Sequence, residues 1–290
     1  MAVVRLRSLG DCVLTTPALE ILKRSRPDLE LGVVVEDRFA PVFRGNPDVD
    51  ALLGPTVREV SGWRPQLLLN LHGGAHSMLL AALAGARIRA GFAHFRCSFL
   101  YNLPIPTAQE ILDVARNVHT AEHLASAMFY LGAQPMEIPR AKLFAEPRPS
   151  ERPYAVIHPV ASHPSKTWPA RGFLAAARHL IETWDVEPVF IAGPGEDLSP
   201  FHGYRALVGR PLEEIKSLVG GASLFVGNDA GPAHMAAAFQ VPSVVIFGSS
   251  DPAIWGPWKT VSEVLVARQS IQSLDAREVL EALDRLRVTA

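Results

Sequence analysis

Residues 224–247, LFVGNDAGPAHMAAAFQVPSVVIF, decide the fold. Leu224 to Val226 is a short apolar run with strand character, and Ser243 to Phe247 is a second one rich in β-branched residues. Between them, Pro232 to Phe239 reads as a helix that opens on proline, preceded by a turn of small and polar residues. Strand, turn, helix and strand in so few residues form a βαβ unit, whose two strands must run parallel.

The same alternation extends in both directions. Upstream lie strand Tyr154 to His158, helix Arg171 to Thr183 and strand Pro188 to Ala192. Downstream, SLDAREVLEALDRL places Val279, Leu280, Leu283 and Leu286 on one helical face, with Ser273 as its expected N-cap. The first half repeats the pattern: strand Val3 to Leu6, an SLGD turn, helix Thr16 to Ser25, strand Leu31 to Val35, strand Leu67 to Leu71 and helix Leu79 to Leu83. It breaks at EPRPSERP, residues 146–153, where three prolines and four charges mark a linker. The expected class is therefore α/β, with a domain over 1–146, a second over 147–290, and the two facing each other across a hinge.

Composition narrows the function. The 290 residues carry 28 basic and 29 acidic side chains, a formal charge of −1, which argues against a dedicated nucleic-acid binder. Residues 1–145 hold 15 basic and 13 acidic residues, and the remainder 13 and 16, so neither half is strongly charged. Cys12 and Cys97 are too few for a disulfide framework or a cysteine metal site, and a reducing compartment is expected. MAVVRLRSLGD lacks the apolar stretch and cleavage site of a signal peptide, so the mature chain is expected to begin at residue 1 or 2. The most apolar window, Leu67 to Ala86, is broken by Asn70, His72, two glycines and His76, short of the roughly 20 apolar residues that spanning needs.

Ligands of open α/β sheets bind at the carboxyl ends of strands, where helix N-termini offer free N–H groups to anions. Four clusters sit at such positions. In RSLGD, residues 7–11, Gly10 permits a tight turn and Asp11 is either a general base or a helix cap. In HPVASHPSKTWP, residues 158–169, Ala161 and Ser162 allow a phosphate close to the backbone, and Lys166 is either its counter-charge or a solvated surface lysine. In AGPGED, residues 192–197, Leu198 replaces the third glycine of a dinucleotide loop, and Glu196 offers a carboxylate to a ribose hydroxyl. In GNDAGPAHMAAA, residues 227–238, Asp229, Ala230 and Gly231 open a helix suited to a pyrophosphate, while His234 is either a ligand contact or a buried core histidine. No GxxxxGK[ST] loop occurs.

Two further features need a reading. His119, Glu122 and His123 spell HxxEH, a zinc-peptidase pattern with no convincing third ligand downstream, so helix packing is the better account. From Val60 to Gln109 there is no Asp or Glu, while Arg64, Arg87, Arg89 and Arg96 accompany His72, His76 and His94. That stretch is either a surface for an anionic partner or a largely buried segment.

In this order the clusters resemble the ADP-heptose:lipopolysaccharide heptosyltransferases, glycosyltransferase family 9. The resemblance runs from VVRLRSLGDCVLTTPAL through HPVASHPSKTWP and GPGED to VGNDAGPAHMAAAFQVPSVVIFGSSDPAIWGPW. It implies a GT-B fold of two Rossmann-like domains, the first for the acceptor and the second for the nucleotide sugar. It implies inverting heptose transfer from ADP-heptose to the lipopolysaccharide core, with no cofactor and no essential metal. By resemblance Asp11 is the general base, and Ala161, Ser162, Lys166, Ala230 and Gly231 hold the pyrophosphate, with Lys166 also aiding departure of ADP. Glu196 would meet the ribose, Asp229 the donor sugar or diphosphate turn, and His234 lies beside them. Arg87, Arg89 and Arg96 are the candidates for an anionic core or lipid A acceptor at the cytoplasmic face of the inner membrane, with peripheral membrane contact left open. The chain departs from the pattern at Ala161, where many members carry a hydroxyl, and after Glu196, where FHGYRALVGRP replaces a helix. A relative using another nucleotide sugar, or a nucleotide-sugar epimerase of similar architecture, are the competing readings.

Overall fold

Six strands, β1 (Ala2–Val4), β2 (Gly32–Val34), β3 (Ala51–Leu53), β4 (Leu67–Asn70), β5 (Ile88–Phe92) and β6 (Leu103–Ile105), build the first sheet. Its order is β3-β2-β1-β4-β5-β6 and every pairing is parallel. Helices α1 (Leu9–Ser25), α2 (Val57–Gly62), α3 (Ala75–Leu83), α4 (Ala108–Leu112) and α5 (Thr120–Tyr130) accompany it. The second sheet comprises β7 (Tyr154–His158), β8 (Glu187–Ala192), β9 (Arg205–Val208), β10 (Leu224–Asn228), β11 (Ser243–Phe247) and β12 (Ser262–Val266). Its order, β12-β11-β10-β7-β8-β9, repeats the first with the same chain logic, again all parallel. Its helices are α6 (Ala170–His179), α7 (Leu212–Gly220), α8 (Gly231–Ala238), α9 (Pro252–Trp255) and α10 (Ala276–Thr289).

The computed structural model describes residues 1–146, 148 and 150–289. The chain divides into units Met1–Phe144 and Ala145 onward, and the boundary expected at 146/147 abuts Pro147, outside the described residues. Within the expected linker, Arg148 already belongs to the second unit: its N–H donates to the Ser217 carbonyl at 3.1 Å and its guanidinium pairs with Glu214 at 3.2 Å.

In each sheet the chain reverses its lateral direction once, between β1 and β4 and between β7 and β10. Those switch points leave a crevice at the strands' carboxyl ends, which is where this topology binds ligands. The central strands are apolar on both faces, as sheets covered on both sides require: β1, β7, β10 and β11 are buried along their whole length. Trp168, Phe173, Phe190, Val226 and Ile246 meet in the second core, where truncating Trp168 would cost about 3–5 kcal/mol.

Several boundaries differ from expectation. The first helix starts at Leu9, not Thr16, so SLGD is its opening turn and Pro17 lies in its interior. Proline has no N–H for the Val13 carbonyl, and the Thr16 hydroxyl donates to that oxygen instead, at 2.8 Å. Gly10 is therefore helical rather than a tight-turn residue. Ser273 sits in a short 3-10 turn, and Asp275 caps the last helix by accepting from the Arg277 N–H at 3.0 Å. The helix expected over Arg171 to Thr183 passes at Leu180 into a π-helical turn ending at Trp184. After Glu196 the chain makes a single 3-10 turn, Ser199–Phe201, and FHGYRALVGRP, residues 201–211, then carries strand β9.

Candidate active site

In the first unit, Arg5 follows β1 and Asp11 is the third residue of α1. Asp11 Oδ2 accepts from the Ser8 N–H at 3.3 Å and from the Ser8 hydroxyl at 3.0 Å, closing a capping box. Its Oδ1 lies 3.6 Å from Arg5 Nη1. Asp11 is thus neither the N-cap nor a free carboxylate. It is held from one side by the helix start and from the other by a guanidinium that is 5% exposed.

Across the switch point, Asn70 ends β4 fully buried. Its amide donates to Tyr101 Oη at 2.8 Å and Ser77 Oγ at 3.1 Å, while its oxygen accepts from the His72 N–H at 3.0 Å. That network shapes the His72–Gly73–Gly74 loop, with Gly73 at φ +73°. Burial, followed by the charge of Arg5, lowers the basicity of His72. Burial also lowers His94, and it pushes His123 down to about 4. His123 stacks on Phe92 with centroids 4.1 Å apart. These imidazoles are neutral at pH 7 and act as walls.

The HxxEH side chains are taken up by helix capping, an ion pair and ring stacking, with Glu122 also accepting from the His119 N–H at 2.8 Å in a capping box. His119 Nδ1 accepts from the Ala121 N–H at 3.1 Å, Glu122 forms a two-point pair with Arg116 at 2.7 and 2.8 Å, and His123 stacks on Phe92. The three arginines of the acid-free stretch separate. β5 pairs with β4 so that Arg89 opposes Leu68 and Gly91 opposes Asn70. Arg87 and Arg89 therefore stand at the amino ends of the strands, opposite to the end that carries Asp11. Arg89 is further committed to the Leu100 carbonyl at 3.0 Å. Arg96, exposed in the loop after β5, stands at Asp11's end of the sheet.

In the second unit three loops converge at the carboxyl ends of β7, β10 and β11. Lys166 Nζ lies 3.1 Å from Asp229 Oδ2, which also accepts from the Ser250 hydroxyl at 2.5 Å. Asn228 Oδ1 accepts from the Trp168 N–H at 3.0 Å, and Ser165 and Ser249 share a hydrogen bond of 2.9 Å. Gly248 has no room for a side chain, because a Cβ there would run into the Ser165 carbonyl oxygen. Next to this knot α8 begins at Gly231 with Ala230 as N-cap and no side chain capping it; Pro232 has no N–H and the Ala233 N–H donates to the Ala230 carbonyl at 3.0 Å, so the Ala230 and Gly231 N–H groups are the ones the helix leaves unused. Ala161 and Ser162 lie in the β7 loop, half-buried and exposed respectively.

Two candidates sit differently from their sequence readings. Glu196 folds back on its own turn, its Oε2 accepting from the Gly193 N–H at 2.5 Å, so one oxygen is already committed within the AGPGED loop. His234 is 4% exposed within α8, which places it with the core alternative. Ser250, Ser249 and Asn228 were not read as site residues, although GSSD after a strand carries the same small-and-polar signature as the loops that were. Arg5 also went unread, being a single charge at a strand end.

A family model described as Glycosyltransferase family 9 (heptosyltransferase) matches residues 58–283. The chain belongs to glycosyltransferase family 9. It is similar to Lipopolysaccharide heptosyltransferase 3 of Escherichia coli, at 25% identity over 87% of this chain and 84% of that one. Among solved structures, a family 9 glycosyltransferase from Veillonella parvula overlays with a TM-score of 0.84 at 19% identity, covering 100% of this chain and 97% of that one. The E. coli ADP-heptose lps heptosyltransferase II overlays with a TM-score of 0.84 at 20% identity, covering 99% and 98%. The protein is a family 9 glycosyltransferase, and the α/β, GT-B class expected from its sequence is the one it has.

Proposed function

We propose that this family 9 enzyme moves heptose from ADP-heptose to a sugar of the lipopolysaccharide core, with inversion at the anomeric carbon and without an essential metal. Membership of the family carries the heptosyltransferase part of the reading. The observation that carries the donor part is the Lys166–Asp229–Ser250 knot beside the open start of α8.

A leaving diphosphate gains negative charge as the glycosidic C–O bond breaks. Lys166 and the first N–H groups of α8, from Ala230 and Gly231, supply positive charge and oriented dipoles for it. Ala161 and Ser162 let the pyrophosphate approach the β7 loop. Asp229, between Lys166 and Ser250, sets the direction of the ammonium and meets the sugar side of the diphosphate. Glu196 reaches the ribose with the oxygen not held by Gly193.

On the acceptor side, Asp11 takes the proton of the attacking hydroxyl while the acceptor oxygen bonds to the anomeric carbon and ADP departs with the bonding pair. Arg5 keeps the Asp11 carboxylate in place, and Arg96 stands at the correct end of the sheet to contact an anionic acceptor. Arg87 and Arg89, at the opposite end, are left out of that role. The acceptor is borne on lipid A, and the enzyme works in the cytoplasm in peripheral contact with the inner membrane. No helix among the described residues is long and apolar enough to cross a membrane.

Calorimetric titration with ADP-, UDP- and GDP-sugars tests the donor assignment. Binding of ADP-heptose well above the others is expected. Binding confined to UDP-sugars would assign the chain to another donor, and conversion of a nucleotide sugar to its epimer without an acceptor would replace transfer by epimerisation.

A further inference from the structure

Helix α3, AHSMLLAAL, contains no charged residue. Its inner face, Ser77, Met78, Leu80 and Ala81, is buried on the first sheet. A surface helix ordinarily offers a polar face to water, and a helix apolar all round is ordinarily covered on every side. Here the outer face carries two uncovered leucines in line with an exposed His76: Leu79 is 53% exposed and Leu83, one turn on, 55%. Beside it, the Ser98–Leu100 turn packs against α3 and projects Phe99, at 82% the most exposed of the large apolar side chains. Ile88, just beyond the helix, is 38% exposed. Among the described residues, three of the four large apolar side chains more than half exposed therefore lie on α3 and the turn packed against it.

The charges near that face are mainly basic: residues 60–109 contain no carboxylate, Arg87 is exposed just past the helix and Arg64 just past α2, and Glu59 is the one acid on α2, which packs against α3. Arg87, four residues past Leu83, has no role at the Asp11 end of the sheet. Protruding leucines and a phenylalanine with an arginine margin suit the interfacial zone of an anionic bilayer, where rings and aliphatic tips enter the acyl boundary and guanidinium groups stay at the phosphates. A soluble partner surface would bring carboxylates in a fixed pattern, and nothing on this face is arranged to pair with one residue by residue.

We propose that the outer face of α3 and the adjoining Phe99 turn dock this enzyme on an anionic lipid bilayer, with Leu79, Leu83 and Phe99 inserting and Arg64 and Arg87 on the phosphates. This gives the membrane contact of the preceding reading a definite surface, and rests on that reading only for its purpose. α3 is too short to span, so the attachment is peripheral and reversible.

The test uses full-length protein, with no donor or acceptor, and co-sedimentation with vesicles of phosphatidylglycerol and phosphatidylethanolamine against vesicles of phosphatidylcholine alone. The wild type is expected to partition onto the anionic vesicles and to be released by salt. Leu79→Ser with Phe99→Ser is expected to lower the partition coefficient more than tenfold, and Arg87→Gln about fivefold, one interfacial charge's share. Donor binding and melting temperature should stay close to wild-type values in both variants, since these side chains lie on the surface outside the buried cores. Equal binding to both vesicle types, or full binding by the Leu79→Ser, Phe99→Ser protein, overturns the proposal. So does a dimer in sedimentation velocity that the same double variant dissociates, because the face would then belong to a second copy. Because the vesicles hold no lipopolysaccharide, failure here is distinct from failure of the heptosyl-transfer reading.

Discussion

Lys166 and Asp229, 63 residues apart in sequence, meet at 3.1 Å at the carboxyl ends of β7 and β10, and the contact spans the topological switch point of the second sheet. An ammonium placed there is held ready by a carboxylate that is itself anchored by Ser250. When a diphosphate arrives, the lysine needs only a small movement to bridge both.

Lys166→Ala removes a charge whose value grows as the leaving group departs. Donor affinity and turnover should both fall, with kcat/KM reduced about 100-fold, roughly 2.7 kcal/mol. Steady-state kinetics with varied donor checks this, and an unchanged rate would assign the diphosphate to another cation.

Asp11 serves chemistry and fold at once, and two substitutions separate the roles. Asp11→Asn keeps an oxygen for Ser8 and should abolish transfer in a protein that still folds, with a lowered melting temperature because the buried Arg5 guanidinium loses its counter-charge. Asp11→Ala should abolish transfer and also cost about 1 kcal/mol through the lost capping box. Calorimetry should find donor binding nearly intact in both, and turnover within tenfold of wild type would remove Asp11 as the base.

Gly248→Ala should damage the donor site without touching a ligand-binding side chain. The added methyl meets the Ser165 carbonyl, so the β7 and β11 loops must separate and the Ser165–Ser249 bond is lost. ADP affinity should drop at least tenfold while the far-ultraviolet spectrum stays the same.

His158, buried at the end of β7, is pushed down to about 4 by desolvation, and its Nδ1 has no hydrogen-bond partner among the described residues. In the unfolded chain it titrates near 6.5. Between those values the unfolded state holds the extra proton, so acidification favours unfolding. The stability it contributes is full above pH 6.5 and shrinks as pH falls toward 4, by roughly 2 kcal/mol at pH 5. In denaturant melts across that range the wild type should lose roughly 2 kcal/mol more than His158→Leu between pH 7 and pH 5, and parallel curves would show that His158 does not set the slope.

The parts of this structure legible in the sequence are those where local chemistry and tertiary role agree. The strand–turn–helix around Asn228 and Gly231 announces itself because small residues, proline and an apolar run fall in the only order that builds it. Five strands escaped: β3, β6, β9 and β12 are the four sheet edges, short and partly exposed, and β5 is interrupted by Arg89 and by Gly91, whose missing side chain makes room for the Tyr101 ring. Pro17 misplaced the start of α1 because its missing hydrogen bond is replaced by Thr16, a compensation visible only in three dimensions. In the site, Lys166, Asp229 and Asp11 were legible as charges in turns. Arg5, Ser250 and Asn70 were not, since their importance lies in what they hold rather than in any motif. The acid-free stretch joined residues that the register of β5 sends to opposite ends of a strand.

One transfer assay decides whether Asp11 is the base of heptosyl transfer. Wild type and Asp11→Asn are incubated with ADP-heptose and a lipopolysaccharide core acceptor lacking the terminal heptose, in the presence of a chelator, and ADP and heptosylated product are quantified together. Equal amounts of both are expected from the wild type and neither from Asp11→Asn. Transfer that persists in Asp11→Asn, or a wild type that consumes only another nucleotide sugar, would contradict that reading.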